Sequence, residues 1–311
     1  MKIALVGLGE ISQSQHIPAL QQSQDWELAA TVSRSTSVAD VENFATIDAL
    51  LDSRPDIPVV SLCMPPVPRF DIARAAILAG RHVMLEKPPG ASVSECTLLQ
   101  HLAESTGVSL FASWHSREAA QVSAAKAWLS DKRLRALTVT WKEDVRRWHP
   151  GQDWIWREGG LGVFDPGINA LSIVTEILPD PVHLTAATLE FPENRETPIA
   201  ASLTFAHPHS AEMSAVFDWR QDGDQIWTIE AETNAGTLVL ADGGARLAID
   251  GEMQAETDAD GNPLQGEYPR LYAKMADLVR KGGIDMDLSP MTHVADAFLL
   301  GRRVTVEPFN E

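Results

Sequence analysis

Short apolar runs alternate with helical stretches over the first part of the chain. Apolar runs that predict strands are Lys2–Val6, Glu27–Val32, Val59–Cys63, His82–Leu85 and Ser109–Ser113. Amphipathic stretches that predict helices lie between them, at Ile11–Gln22, Thr46–Ser53, Arg69–Ala79 and Ser92–Ser105. Strands that are apolar on both faces are typical of a parallel sheet covered by helices on both sides. The pattern therefore predicts an α/β, doubly wound Rossmann domain, which we assign to residues 1–116.

The pattern changes after this segment to longer strands with a period of two. A helix at Arg117–Leu129, a strand at Leu134–Trp141 and a helix at Gly162–Leu178 come first. The strands predicted next are His183–Phe191, Ile199–Phe205, Glu212–Trp219, Gln225–Glu232 and Thr237–Leu240, and two helices close the chain at Tyr268–Lys281 and Pro290–Val304. Successive strands joined by short turns predict a C-terminal α+β domain, residues 117–311, with a large open, mostly antiparallel sheet.

Composition narrows the classes of partner. The 311 residues carry 25 Lys and Arg against 43 Asp and Glu, a formal charge of −18, which disfavours nucleic acid and anionic lipid. No apolar run reaches the ~20 residues of a membrane span. We expect a cytoplasmic protein whose two cysteines are free and which binds no metal. An anionic cofactor would need local cations and backbone amides.

A glycine-rich turn follows the first predicted strand. In Gly7-Leu8-Gly9-Glu10-Ile11-Ser12, Gly7 permits a tight turn and Gly9 lets the backbone approach a pyrophosphate. Ser12 replaces the usual third glycine or alanine, but it is small enough for close packing of helix on strand. The interpretation is dinucleotide binding, and the alternative is a plain glycine-rich turn.

The end of the second strand bears on the choice of cofactor. NAD enzymes usually carry an acid there for the ribose 2′-hydroxyl, whereas this chain has Thr31-Val32-Ser33-Arg34-Ser35. Ser33 can donate a hydrogen bond to a 2′-phosphate, and Arg34 can form a charge-assisted pair with it. We therefore expect NADP to be preferred, with NAD as an accepted second cofactor. Alternatively, Arg34 is a solvated loop residue.

Three motifs together resemble a known family. They are Gly7-Leu8-Gly9-Glu10-Ile11, then Glu86-Lys87-Pro88, and then Gly159-Gly160-Leu161-Gly162-Val163-Phe164-Asp165-Pro166-Gly167-Ile168-Asn169. The chain resembles the glucose–fructose oxidoreductase/inositol dehydrogenase/MocA family over nearly its whole length. Within that family it is most similar to the bacterial group that oxidises L-arabinose and D-galactose at C1. That closer resemblance rests on Trp114-His115-Ser116, residues 141–152, Trp154-Ile155-Trp156 and Asn169.

The resemblance implies that Lys87, Asp165 and Asn169 surround the reacting carbon. Many family members have a histidine where this chain has Asn169, and an amide cannot titrate. Asp165 lies four residues earlier on the same helical face, so we assign it as general base. Lys87 then orients O1, and Asn169 positions the hydroxyl group. The alternatives are a surface lysine and helix capping by Asp165 or Asn169.

Aromatic and polar residues predict a sugar pocket. Six of the nine tryptophans fall between residues 114 and 156, and Trp148, Trp154 and Trp156 lie where core packing does not require them. Flat aromatic faces suit the C–H faces of a pyranose. Core packing is the alternative for each tryptophan, and it is the preferred interpretation for Trp114 and Trp141.

The predicted site residues form two sets. Those assigned to the cofactor are Gly7, Gly9, Glu10, Ile11, Ser33, Arg34, Pro65, Glu86 and Lys87. Those assigned to the substrate are Lys87, His115, Glu143, Trp148, His149, Asp165, Asn169 and Trp227.

The resulting functional hypothesis is an NADP-preferring aldose 1-dehydrogenase that converts L-arabinose or D-galactose to its lactone. Two alternatives stay open, a dehydrogenase of another polyol or of a dihydrodiol, and an NADP-binding regulator without catalysis. A homodimer through the C-terminal sheet is also expected. Both faces of Glu212–Trp219 and Gln225–Glu232 hold some apolar residues, which is typical of a subunit contact. The family resemblance implies pairing through the same face. A monomer with a mixed outer face is the other possibility.

Overall fold

The computed structural model describes residues 1–255 and 266–310. The strands are β1 Lys2–Val6, β2 Glu27–Val32, β3 Glu42–Phe44, β4 Val59–Leu62, β5 His82–Glu86, β6 Leu110–Ser113, β7 Leu134–Lys142, β8 His183–Pro192, β9 Ala200–Ala206, β10 Glu212–Asp218, β11 Ile226–Thr233, β12 Gly236–Ala241, β13 Arg246–Ile249, β14 Glu252–Met253, β15 Ile284–Asp285 and β16 Arg302–Val306. The α-helices are α1 Ile17–Gln22, α2 Ile47–Ser53, α3 Arg69–Leu78, α4 Val93–Thr106, α5 Val122–Leu129, α6 Val145–Trp148, α7 Phe164–Ile177, α8 Glu267–Lys281 and α9 Ser289–Leu300.

Backbone contacts divide the described chain into two compact units. The first contains residues 1–115 and 266–288, and the second contains residues 116–255 and 289–310. The sequence-based division at residues 116 and 117 is continuous and assigns the helix Tyr268–Lys281 to the C-terminal domain, whereas α8 lies in the first unit. Periodicity predicts a helix there in either case, and it cannot tell on which sheet that helix packs.

The first unit is built on a parallel sheet with the order β15-β6-β5-β4-β1-β2-β3. Its central strands are buried along almost their whole length, as expected for a sheet covered on both faces. Helix α4 begins where the Ser92 side chain accepts the Glu95 amide N–H, and it ends at Gly107 with φ of 73°. These are the usual N-cap and C-cap devices.

The second unit is built on an open sheet with the order β14-β13-β12-β11-β7-β10-β9-β8-β16. The β7–β10 and β8–β16 pairs are parallel and the other described pairs are antiparallel, so the predicted mostly antiparallel sheet is confirmed. Met213, Ala215 and Phe217 of β10 point to the buried face. The α/β fold with a parallel Rossmann sheet and a second mixed sheet is thus the one expected.

The last predicted helix is wrong at its end, and the one predicted over Arg117–Leu129 begins only at Val122. The helix expected over Pro290–Val304 stops at Leu300, and residues after Gly301 form strand β16, which pairs with β8 in parallel. A Cβ on Gly301 would lie 2.3 Å from the Ala297 carbonyl oxygen and 3.0 Å from Leu189, so only glycine fits where the chain leaves the helix.

Candidate active site

The glycine turn after β1 has the geometry that the motif predicts. Gly7 has φ of +90°, and a Cβ there would lie 2.9 Å from the Met64 backbone nitrogen, so a side chain is excluded. Ser12 donates its hydroxyl hydrogen to the Gly7 carbonyl oxygen over 2.7 Å and so fixes the turn to the helix that follows. The third motif position therefore still packs closely although it is not glycine.

Gly9 provides the test of fit for a dinucleotide. A Cβ on Gly9 would meet no described atom within 4 Å, so protein packing does not require a glycine there. The helix begins beside it at Glu10 and Ile11, which are both exposed. Gln13 donates its backbone N–H to the Gly9 carbonyl oxygen. An open cradle at a helix N-terminus suits an anionic pyrophosphate, which would approach the backbone at Gly9.

The turn after β2 leaves Arg34 exposed. Ser33 donates its backbone N–H to Phe44, and its hydroxyl oxygen accepts the Thr36 amide N–H over 3.2 Å. Arg34 forms no ion pair with a described residue. The turn therefore presents the Ser33 hydroxyl and the exposed Arg34 guanidinium close together in sequence.

The loops after β4 and β5 are tied together by a buried arginine. Arg69 of α3, only 2% exposed, donates to the backbone carbonyls of Met64, Glu86 and Pro88. Burial lowers the pKa of Arg69 to about 10. Pro65, which the sequence assigned to the cofactor, is exposed in the first of these loops. Lys87 is half-buried in the second, directly after β5.

The Glu86 side chain turns away from solvent. It is 4% exposed, one carboxylate oxygen accepts the Lys87 backbone N–H, and the other accepts the Tyr268 hydroxyl over 2.5 Å. Burial alone would raise the pKa of Glu86, but the neighbouring His16, with smaller contributions from His115 and Tyr268, lowers it to about 2. A contact of Glu86 with the cofactor would therefore involve its backbone rather than its carboxylate.

His115 is held by helix α8, which also carries Tyr268. Its Nδ1 lies 2.6 Å from an oxygen of Glu267, and its ring stacks on Tyr268 at 5.6 Å between centroids. A carboxylate at Nδ1 selects the tautomer that carries its proton there. The arrangement fixes the plane of the half-buried imidazole that the sequence assigned to the substrate.

In the second unit, glycines allow close packing around the start of α7, against the preceding loop and against β10. A Cβ on Gly160 would lie 2.4 Å from the Trp154 carbonyl, and one on Gly167 would lie 2.7 Å from the Phe217 ring. The N-cap residue is Val163 and no side chain caps the helix, so Asp165 is not its N-cap residue. Asp165 is 4% exposed, while Asn169, one turn later, is half-buried.

Asp165 belongs to a chain of polar groups that ends in a buried carboxylate. His149 Nδ1 lies 3.8 Å from an Asp165 oxygen, and His149 Nε2 lies 3.2 Å from Glu143 Oε1. Glu143 is 2% exposed and also accepts the indole N–H groups of Trp219, over 3.3 Å, and Trp227, over 3.0 Å. The predicted substrate residues Glu143, His149, Asp165 and Trp227 therefore form one connected cluster.

Two of the tryptophans form an aromatic wall beside this cluster. Trp148 is 39% exposed and tilts against the half-buried Trp227 at 5.0 Å between centroids. Trp141, expected in the core, is buried and stacks on Trp227. Trp156 was expected outside the core, but this is wrong, because it is 2% exposed and packs edge-on against Trp219.

Five residues that contact these groups were not predicted from the sequence: His16, Arg69, Trp219, Glu267 and Tyr268. None of them is a sequence neighbour of the predicted residue that it contacts, and no local motif marks it. Among the described residues, no cluster of three or more His, Cys, Asp or Glu could hold a metal. Within residues 1–255 and 266–310, every helix is too short or too polar to span a bilayer.

Comparison with known proteins identifies the class. Residues 1–113 match the GFO_IDH_MocA family, an oxidoreductase family with an NAD-binding Rossmann fold. The chain is 39% identical to galactose 1-dehydrogenase of Pseudomonas fluorescens over 99% of its own length and 98% of that protein. It thus belongs to the glucose–fructose oxidoreductase/inositol dehydrogenase/MocA family, as the motifs predicted.

Solved structures agree with this assignment. A crystal structure of a D-galactose 1-dehydrogenase protein from Rhizobium etli is 53% identical, covers 99% of this chain and 97% of that one, and superposes with a TM-score of 0.94. A 3-ketoreductase from Actinomadura kijaniata, 16% identical with a TM-score of 0.83 over 98% of this chain and 99% of that one, shares the fold. The chain is an oxidoreductase similar to galactose 1-dehydrogenases, with an NAD(P)-binding Rossmann domain.

Proposed function

We propose that the protein oxidises D-galactose, L-arabinose or a close stereoisomer at C1 and prefers NADP. The observation that carries the proposal is the start of α7, where buried Asp165 lies beside His149 and one turn before Asn169. A positioned carboxylate with an amide on the same helical face suits removal of a proton from a sugar hydroxyl. Similarity to galactose 1-dehydrogenases over nearly the whole chain supports the substrate class.

Each residue has a role in the proposed reaction. Lys87 orients O1 and favours its deprotonation, Asp165 accepts the O1 proton, and Asn169 positions the hydroxyl group. The bound nicotinamide supplies the acceptor for the hydride that leaves C1. Gly7 and Gly9 with the exposed helix start would hold its pyrophosphate.

The sugar would lie against the aromatic wall of Trp148 and Trp227. Their faces suit the C–H groups of a pyranose, and Trp227 is anchored by its bond to Glu143. His149 and His115 would contact hydroxyl groups. L-Arabinopyranose and D-galactopyranose share their ring stereochemistry and differ by the C6 hydroxymethyl group, so one pocket could accept both.

A screen of aldoses with NADP and NAD, followed by the absorbance of the reduced nicotinamide, tests the proposal. D-Galactose and L-arabinose should react, while the methyl glycoside of galactose, whose C1 hydroxyl is blocked, should not. Turnover of an inositol or a dihydrodiol alone would favour the alternative dehydrogenase. Cofactor binding without turnover of any polyol would favour the regulator.

Arg34 should distinguish the two cofactors. The Arg34→Ala change should raise the KM for NADP about tenfold or more, because a charge-assisted bond contributes about 1.5–3 kcal/mol. The KM for NAD should stay nearly unchanged, since NAD has no 2′-phosphate. Arg74→Ala, which removes an exposed arginine from α3, is the control for the change in net charge. Equal losses with both cofactors would show that Arg34 does not read the 2′-phosphate.

The homodimer through the sheet of the second unit stays a proposal that rests on the family resemblance. One face is buried by Met213, Ala215, Phe217 and their neighbours, whereas Glu212 and Ser214 on the other face of β10 are exposed in the described unit. We expect light scattering at micromolar concentration to give twice the 33.9 kDa of one chain. A mass of one chain at every concentration would exclude the dimer and leave the catalytic proposal intact.

A further inference from the structure

The backbone around Lys87 is held on both sides by buried side chains. Arg69 donates to the carbonyls of Glu86 and Pro88, which flank Lys87, and the Glu86 carboxylate accepts the Lys87 amide N–H. The backbone is therefore fixed by hydrogen bonds at Glu86, Lys87 and Pro88. Since a lysine side chain has several rotatable bonds, a rigid starting point limits where its ammonium group can reach.

Glu86 can hold the amide only while its own carboxylate is oriented. Tyr268 of α8 donates its hydroxyl hydrogen to the second oxygen over 2.5 Å. His16 also faces that oxygen, but at 3.4 Å, while its other ring nitrogen lies 2.7 Å from the Tyr272 hydroxyl. Tyr268 therefore makes the closer contact of the two, and it is itself 4% exposed.

We propose that Tyr268 is a positioning residue for Lys87, because its hydroxyl orients the Glu86 carboxylate that holds the Lys87 amide. The inference rests on the proposed function, in which Lys87 orients O1. Tyr268 acts through Glu86 and needs no contact with sugar or cofactor. Its ring also stacks on His115, so the same side chain supports two predicted substrate residues.

Helix α8 provides a matched pair of variants. Tyr268→Phe and Tyr272→Phe each remove one buried hydroxyl from the same helix, one turn apart. The Tyr272 hydroxyl contacts His16 and Ser61 and makes no direct bond to residues 86–88; His16 in turn lies 3.4 Å from the Glu86 carboxylate. A loss of packing or stability alone would affect both variants. A loss of orientation at Lys87 would affect Tyr268→Phe much more than Tyr272→Phe.

Hydrogen–deuterium exchange measures the Lys87 amide directly in the protein without substrate. Pro88 and Pro89 have no amide hydrogen, so overlapping peptides that end at Glu86 and at Pro89 differ by the Lys87 amide alone. Exchange of this amide should become about fivefold faster or more in Tyr268→Phe, as expected when a hydrogen bond to a charged group is lost. In Tyr272→Phe it should change less than about twofold.

Kinetics provide the second measurement. Tyr268→Phe should lower kcat about tenfold with the KM for NADP changed less than about twofold, and Glu86→Gln should lower kcat at least as much. The variant that combines Tyr268→Phe with Glu86→Gln should be no slower than Glu86→Gln alone, because both changes act on one contact. Unchanged Lys87 exchange in Tyr268→Phe, or equal effects in Tyr272→Phe, would overturn the inference. A wild-type protein that oxidises no aldose would instead refute the proposed function, and the exchange experiment would still decide the role of Tyr268.

Discussion

Asp165→Asn should lower kcat by about 10²–10⁴-fold, the usual contribution of a positioned general base. Asparagine keeps the size and shape of the side chain but cannot accept a proton at neutral pH. The KM for NADP should stay within about twofold, because the proposed partner of Asp165 is the sugar hydroxyl group, whereas the glycine turn and Arg34 are assigned to the cofactor. Steady-state kinetics with D-galactose and L-arabinose measure both effects.

Asp153→Asn is a suitable control, since its exposed carboxylate lies in the same segment of the chain. If Asp165→Asn keeps the wild-type kcat, the base is another group, and His149 is the next candidate because its ring lies 3.8 Å from Asp165. His149→Gln would then show the large loss instead. A pH profile of kcat for both variants would separate the two assignments.

Lys87→Ala should lower kcat by about 10²–10³-fold, as expected when a cation that stabilises developing negative charge on O1 is removed. The expected loss is in the chemical step, so the dissociation constant of NADP should change much less than kcat. Lys87→Arg keeps the charge but changes its geometry, and it should retain more activity than the alanine variant.

Added alkylamines offer a direct test of the charge at Lys87. A small ammonium ion can enter the space left by the alanine variant and restore part of its kcat, whereas it should not affect Asp165→Asn. If the alanine variant keeps full activity, Lys87 does not act on O1, and the inference about Tyr268 loses its catalytic meaning.

Five strands of the first sheet were predictable because they are short, apolar and separated by clear helix signals, whereas the short edge strands β3 and β15 were not predicted. β1 and β2 have the bounds that the apolar pattern predicts, and Gly7 adopts the positive φ that its motif requires. Strand β16 was not predictable in this way. Its Arg302-Arg303-Val304-Thr305-Val306 sequence is short and polar, and its partner β8 lies more than a hundred positions earlier. Edge strands of this kind carry little periodic signal.

The candidate site was predictable as a set of residues but not as a set of contacts. Motifs mark Lys87, Asp165 and Asn169, whose assignments stay predictions. Buried Glu86 accepts a hydrogen bond from Tyr268, 182 positions later, and buried Glu143 accepts one from Trp227, 84 positions later. Periodicity and spacing describe neighbours along the chain, so they do not indicate which distant donor will satisfy a buried carboxylate.

The return of α8 to the first unit affects how the protein folds during synthesis. Tyr268, Leu271, Tyr272 and Met275 of α8 complete the same apolar core as Ile3 and Leu5 of the first strand. A ribosome that adds about 5–20 residues per second needs on the order of ten seconds to travel from the end of β6 to α8. During that interval the nascent N-terminal sheet exposes the surface that α8 later covers. A chain truncated after residue 115 should therefore bind chaperones or aggregate rather than yield an isolated nucleotide-binding domain.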